Sequence, residues 1–301
     1  MTDTFDGTFL AGVERRRVRS EATGSEHDVF IGLPDGWEHS GRRYPLLIVL
    51  DANYCFGTAL ETARMQAATG EAAELIVVGL GSPGGVAAHG VKRLRDYTPG
   101  FHMEGGLAAS EVGRMLQGRL ERAGLSVEQA FGGSRPYARF ITDELLPTLR
   151  AELPIEESDI GLAGHSCGGA FAVDLLLNGA RPFSKLLVGT FGLDWFKPAD
   201  LERLERGFAG HRDLPRVFVA IGGAEFDDEE MGRALPHSTA FLDRLRTAAP
   251  GLELTQTVFE GETHTSVMAM LLSSGIRRLW ATGLSYSAAA AGRRAREDAT
   301  A

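Results

Sequence analysis

Asp159-Ile-Gly-Leu-Ala-Gly-His-Ser166-Cys-Gly-Gly-Ala-Phe-Ala-Val173 is the stretch on which the reading of this chain turns. Ser166 sits inside Gly164-His165-Ser166-Cys167-Gly168, a G-x-S-x-G pentapeptide. A short apolar run (Ile160, Leu162, Ala163) leads in. An apolar-periodic stretch (Ala170, Phe171, Val173, Leu175, Leu176, Leu177) leads out. Strand, sharp turn and helix, in that order, are the setting of a nucleophile elbow. The turn strains the serine backbone and lifts its hydroxyl above the sheet edge. A Cβ on either flank is expected to clash there, hence glycine on both sides, and Gly169 is read as a site of close packing. The helix starting at Cys167 brings its positive end to the hydroxyl.

Outward from the elbow, residues 44–50 (Tyr-Pro-Leu-Leu-Ile-Val-Leu) and 74–81 (Glu-Leu-Ile-Val-Val-Gly-Leu-Gly) are near-continuous apolar runs. That is the pattern of strands covered on both faces of a parallel sheet. A helix over 57–69 makes the pair a right-handed crossover. Further strands are expected at 16–20, 28–33, 185–190, 217–221 and 252–259, and helices at 238–248 and 266–279. The basic cluster at 15–19 reads as an edge strand whose charges discourage pairing with other chains. Residues 137–153 are amphipathic and lead into the elbow strand. Residues 82–135 carry little regular pattern and read as an insertion over the sheet edge. Within it, a helix over 109–123 is bracketed by Gly105-Gly106 and Gly132-Gly133, which suggests a mobile cap over about 100–135. The fold class is α/β, a mostly parallel central sheet with helices on both faces, in one domain over 1–284. The Ala-rich tail from 285 is expected to fray.

The chain has 301 residues and a formal net charge of -9, which argues against nucleic acid as a partner. Its two cysteines, Cys55 and Cys167, make no disulfide framework, so reduced thiols and a cytoplasmic setting are expected. The N-terminus has no basic region followed by an apolar core, and no apolar run is long enough to span a membrane. No cofactor or metal is expected, and the oligomeric state is left open.

In open α/β sheets, ligands bind beyond the carboxyl ends of the strands. Three such ends carry Ser, acid and His in the chain order of α/β hydrolases. A serine hydroxyl needs a base within hydrogen-bond reach. His264, on the loop after the last strand, has that address; His165, inside the elbow, is expected to point away from Ser166. The acid follows the 217–221 strand. Glu225 is the candidate, with Asp227 and Asp228 as competitors, and its task is to hold the histidine tautomer. The oxyanion hole calls for two backbone N–H groups, from Cys167 after the nucleophile and from Asn53 in the loop after residues 44–50.

These residues resemble the putative-esterase branch of the α/β hydrolases, which includes esterase D-like enzymes, the mycolyltransferases and the intracellular ferric-siderophore esterases. The resemblance runs over roughly 25–280. It rests on Tyr44-Pro45 with Val49-Leu50-Asp51, on Ile76-Val77-Val78-Gly79, and on Arg95-Asp96-Tyr97-Thr98-Pro99. It continues through Phe140-Ile141 with Glu144-Leu145 and Pro147, Gly164 to Gly169, Gly222 with Glu225, and Gly261 with His264, Ser266 and Val267. It implies Ser166 as nucleophile, His264 as base, Glu225 at the acid position, and a serine carboxylesterase acting on an ester or lactone. An acyltransferase or macrocycle-forming enzyme with the same triad is the alternative. The branch often carries Ser-Pro-Ser and then Trp-Trp after the strand that follows the elbow helix. Here the sequence is Gly192-Leu193-Asp194-Trp195-Phe196, so that pocket wall differs. Arg93, Arg95, Tyr97 and Trp195 are candidates to line the mouth and suit an aromatic or anionic acyl group. Asp96 is expected to pair with Arg93 or Arg95.

Overall fold

The computed structural model describes residues 10–102, 105–179 and 181–284; the tail expected to fray lies outside them. Eight strands form one sheet in the order β1-β2-β4-β3-β5-β6-β7-β8. They are β1 (Val13–Arg19), β2 (Glu26–Gly32), β3 (Tyr44–Val49), β4 (Ile76–Gly81), β5 (Ile155–Gly164), β6 (Lys185–Gly189), β7 (Arg216–Gly222) and β8 (Leu254–Phe259). β2 runs antiparallel to both β1 and β4, and every pairing from β4 across to β8 is parallel. This is the α/β-hydrolase fold.

The apolar runs read as central strands are central. The side chains of Leu46, Leu47, Ile48 and Val49, and of Ile76, Val77 and Val78, are fully buried. One cluster packs on each face of the sheet. Phe140, Phe171 and Leu146 belong to the first, and Phe56, Leu271 and Trp280 to the second. The basic strand β1 is an edge, and Arg15 and Arg17 reach the buried carboxylate of Asp28, at 2.7 and 3.2 Å. Charge on the strand thus shields the edge, with Asp28 neutralised beneath it.

Several helices differ from the sequence reading: it places none at Pro198–Phe208, and the helix read over 238–248 begins at Met231. The first crossover helix runs Ala52–Thr69, beginning directly after β3. Residues 82–135 are more regular than expected, because Gly85–Tyr97 forms a helix of 13 residues packed on the core. Its buried side holds His89, Gly90 and Asp96 beside Leu94 and Tyr97, so an apolar period is hard to see in the sequence. The next helix, Glu111–Ala123, follows a short turn of 3-10 helix at Leu107–Ala109. Its apolar face is divided. Leu107, Leu116 and Leu120 enter the core, whereas Val112 and Met115 are exposed.

The elbow helix, Cys167–Leu177, is buried along its whole length. Its backbone touches the sheet directly: a Cβ on Gly169 would stand 2.3 Å from the Gly189 carbonyl oxygen of β6, and one on Gly164 would stand 2.2 Å from the Gly168 carbonyl. At Gly168 a Cβ would meet only ordinary contacts, the nearest 3.4 Å away at Asp51 Oδ2. The steric demand read for both flanks therefore falls on Gly164 and Gly169. We expect Gly169→Ala to lower stability by about 1–3 kcal/mol through backbone overlap. Gly57→Ala, in the open side of a helix with only Leu10 nearby at 3.7 Å, should stabilise by about 0.5–1 kcal/mol. Denaturant unfolding of the two variants checks both signs.

Candidate active site

Ser166 has φ 60° and ψ -119°, one of two non-glycine residues with positive φ among those described. Its N–H donates to the Thr190 carbonyl at 2.8 Å, which anchors the strained turn to the end of β6. Thr190 also reaches the next loop. Its hydroxyl donates to Glu225 Oε1 at 2.6 Å. The same oxygen accepts the Gly222 N–H at 2.9 Å. Glu225 Oε2 lies 2.7 Å from His264 Nδ1. One carboxylate, 2% exposed, thus has both oxygens occupied, one by the histidine and one by two donors fixed in the fold.

Burial pushes the Glu225 carboxyl up, but the hydrogen bonds from His264 and Thr190 outweigh it and hold the group below its ordinary value of 4.5. The close approach requires glycine at 222, where a Cβ would stand 2.8 Å from Glu225 Oε1 and 2.5 Å from the Glu262 carbonyl oxygen. The competitors point elsewhere. Asp227 and Asp228 are exposed, and Asp228 Oδ1 accepts the Glu230 and Met231 N–H groups at 2.9 and 2.8 Å, at the start of the next helix.

The His264 side chain is partly open to solvent. With Nδ1 engaged by the carboxylate, Nε2 is left as the basic nitrogen. Among the described residues no hydrogen bond joins it to the Ser166 hydroxyl, and such contacts commonly tighten when substrate binds. His165 packs on His264, with ring centroids 4.6 Å apart. Both its ring nitrogens are buried without a partner. Burial, then the neighbouring His264, pushes it down to about 3, so it is a neutral wall of the site. Burial likewise pushes the Cys167 thiol up, which disfavours the thiolate.

Cys167 and Asn53 occupy the first turns of two helices, where backbone N–H groups have no intrahelical acceptor. The two helices start side by side because β3 and β5 are neighbours, with Val49 opposite Ala163 and the Leu50 N–H on the Ala163 carbonyl at 2.9 Å.

The residues expected at the mouth are scattered. Arg93 is mostly buried behind the elbow, its guanidinium on both oxygens of Asp51 at 2.6 and 2.9 Å. Tyr97 is 1% exposed, and its hydroxyl accepts the Asp51 N–H at 3.1 Å. Tyr97 cannot line a mouth, whereas Arg93 keeps a small exposed fraction and donates to the His165 carbonyl at 3.2 Å. Residues two apart on a helix point about 200° apart, so Arg93 and Arg95 face opposite ways. Arg95 turns outward, towards the Thr23 carbonyl at 3.5 Å. Asp96 pairs with Lys92, not with an arginine. Trp195 is half-buried, stacked on Phe131 with ring centroids 5.8 Å apart, and so joins the altered wall to the insertion. Arg95 instead lines a cavity of ≈ 760 Å³ between the Gly85–Tyr97 and Glu111–Ala123 helices, with Tyr54, Lys92, Arg119 and Arg122. None of Ser166, His264 and Glu225 lines it. Among the described residues, no trio of His, Cys, Asp or Glu is arranged to hold a metal ion.

Sequence reasoning missed Thr190, His89 and Asp51. Thr190 had a faint signal, a polar residue ending an apolar strand. The others become visible only once the Gly85–Tyr97 helix is recognised.

Residues 117–188 match the family model described as Putative esterase. The chain is 25% identical over 283 residues to the ferri-bacillibactin esterase BesA of Bacillus subtilis, covering 91% of each. It is 26% identical over 280 residues to the siderophore triacetylfusarinine C esterase of Aspergillus fumigatus, covering 84% of this chain and 88% of that one. Among solved structures, the BES protein from Bacillus cereus superposes with a TM-score of 0.73 at 22% identity, over 93% of this chain and 99% of the other.

Two outcomes follow from the carboxylate geometry. Glu225→Gln should lower kcat on an activated ester, while Asp227→Asn and Asp228→Asn leave it nearly unchanged; full activity in Glu225→Gln moves the role to a neighbour. A carboxyl held below its unfolded value stabilises the fold fully above that value, near 4.5, and loses the contribution as pH falls through the lower folded value. The thermal midpoint of wild type should therefore exceed that of Glu225→Gln by a constant margin from neutral pH down to about 4.5, and the margin should shrink below it. A margin independent of pH in acid contradicts the assignment.

Proposed function

We propose, from the premise that the chain belongs to the putative-esterase branch of the α/β-hydrolase superfamily, that it is a serine hydrolase cleaving a carboxylic ester or lactone through an acyl-enzyme. Ser166 Oγ attacks the carbonyl carbon, and its proton passes to His264 Nε2. The Glu225 carboxylate stabilises the imidazolium that forms without taking the proton. The carbonyl oxygen becomes an oxyanion, and the Cys167 and Asn53 N–H groups are its donors. Collapse of this intermediate expels the alcohol, which receives the proton from His264. Water then adds to the acyl-enzyme by the same steps and releases the carboxylate. The observation that carries this reading is the buried 2.7 Å bond from Glu225 to His264, beside a serine held at positive φ.

For the substrate we favour a siderophore-type trilactone, bulky and anionic. Two kinds of support converge. Relatives at about 25% identity over most of the chain are named as a ferri-bacillibactin esterase and a siderophore triacetylfusarinine C esterase. In addition, Lys92, Arg95, Arg119 and Arg122 border the ≈ 760 Å³ cavity, with Tyr54 at its edge. Tyr54 is the residue after Asn53 in the sequence. Guanidinium groups bind anionic oxygens and stack on rings. Both described cysteines are buried free thiols, which suits the cytoplasmic setting we assign.

A fluorophosphonate probe should label wild type and not Ser166→Ala, and kcat should fall on the order of 10⁴-fold or more in that variant with the fold intact. Near-wild-type turnover in clean Ser166→Ala protein rejects the nucleophile. For the substrate, kcat/KM on an aromatic trilactone should exceed that on a medium-chain alkyl ester, and the preference should fall in Arg95→Ala and Arg119→Ala. A preference for the alkyl ester leaves a general carboxylesterase.

A further inference from the structure

The sheet has two edges, and they are built differently. β1, at one edge, carries Arg15, Arg16, Arg17 and Arg19, and charge of this kind keeps other strands away. β8, at the other, reads Leu254-Thr-Gln-Thr-Val-Phe259 and has no charge, no proline and no glycine. Among the described residues β7 is the only strand that pairs with β8. Thr255 and Val258 are exposed, Val258 to 47%. A strand rich in β-branched residues, uncharged and with one side of its backbone open, is a template for a further strand.

The ladder fixes which backbone groups face outward. The Val217 N–H donates to the Glu253 carbonyl at 2.7 Å, with Val217 opposite Leu254. In a parallel ladder alternate residues bond to the neighbour, so Glu253, Thr255, Thr257 and Phe259 face β7. Leu254, Gln256 and Val258 turn their N–H and C=O groups to the open side. The Leu254 N–H is taken by the Leu252 carbonyl at 3.0 Å. Among the described residues, the N–H groups of Gln256 and Val258 and the carbonyls of all three meet no backbone partner.

We propose that β8 is an interface between two copies of this chain, paired antiparallel about a twofold axis at Gln256. In this register the strand is complementary to itself. Gln256 meets the partner's Gln256. Leu254 faces the partner's Val258, an apolar pair, and Thr255 faces the partner's Thr257, a pairing that is favourable across strands. An axis at Thr257 would instead set Leu254 against the partner's Glu260 and Thr255 against the partner's Phe259. The axis at Gln256 also joins the open backbone groups. Two bonds run between the glutamines, and one runs from each Val258 N–H to the partner's Leu254 carbonyl.

Charge points the same way. Each copy has a formal net charge of -9, so two copies repel except where a neutral stretch meets a neutral stretch. β8 offers that stretch and β1 does not. One patch that meets itself about a twofold axis closes as a dimer and does not grow into a fibre. Antiparallel strands send their carboxyl ends opposite ways, so the two Ser166 sites open on opposite sides of the dimer. The pairing is thus independent of the chemistry at Ser166.

The test measures mass by sedimentation of the full chain from micromolar to near-millimolar concentration. Wild type should move from the 32.3 kDa chain towards twice that mass as concentration rises. Gln256→Lys sets like charges across the axis, and Gln256→Glu does so with the opposite sign. Each should raise the dimer Kd by about 10-fold or more. An equimolar mixture of the two should recover dimers that hold one copy of each, because opposite charges then face each other. Hydrogen exchange of wild type needs no variant: the Gln256 and Val258 amides should exchange at least about tenfold more slowly in the dimer than in diluted monomer. Wild type that stays monomeric throughout overturns the proposal. So do dimers that persist unchanged in both folded variants, or a mixture of folded variants that recovers none. Gln256 and Val258 amides equally protected in dilute monomer assign the edge to another segment of the same chain, and overturn it too.

Discussion

The backbone of the Cys167–Leu177 helix lies on the backbones of β5 and β6 with no side chain between, and the site depends on that contact. Gly164 and Gly169 permit it, at gaps of 2.2 and 2.3 Å from a notional Cβ to a carbonyl oxygen. A helix set this low leaves little room for the turn before it, so Ser166 takes a φ of 60°. Strain of that kind persists only where the surroundings over-determine it. Here they do so twice, through the Ser166 N–H on Thr190 and through a helix that is buried throughout. The hydroxyl and the Cys167 N–H are thereby presented together, a product of packing more than of any local preference of serine.

Charge imposes the second constraint. A lone buried carboxylate is costly unless donors surround it. Asp51 meets Arg93 and His89, and Glu225 meets His264, Thr190 and the Gly222 N–H. Both carboxylates are held ionised, because attraction outweighs the desolvation that opposes it. The two flank the elbow from opposite sides. One faces His264, and the other sits behind the elbow through Arg93. Removing either partner of such a pair leaves a charge without compensation, so the groups that organise the chemistry also contribute to the stability of the fold around it.

Much of this was legible in the sequence where hydrophobic period and glycine placement speak directly. The apolar runs at 44–50 and 74–81 marked central strands, and the pattern around Ser166 marked strand, turn and helix. The chain order singled out Glu225 and His264, which the fold brings together. What stayed hidden was a helix whose buried side is polar. Period-based reading looks for apolar residues every three or four positions. In Gly85–Tyr97 the inward positions include His89 and Arg93, whose burial is made possible by partners far away in the chain. Their pairing with Asp51 and Ser82 is tertiary information. Without it, Arg93 and Tyr97 look like pocket residues because they are the kinds of side chain that bind ligands. Thr190 was missed for a related reason, since its worth lies in touching two loops at once.

The same helix shows how binding and chemistry can be separated. Arg93 looks inward to the elbow, and Arg95, about 200° around the axis, looks out to the cavity. Substitutions at Arg95, Arg119 or Arg122 alter the field met by an approaching anion without touching the Arg93–Asp51 pair. The formal net charge of -9 does not oppose this. At physiological ionic strength the field of distant surface charges is screened within about 8 Å, so an anion already in the cavity responds to the nearby guanidinium groups. Changes on the inner stripe are different in kind, because each disturbs a shared carboxylate. The outer face is thus free to vary with the substrate, while the inner face is tied to the reaction.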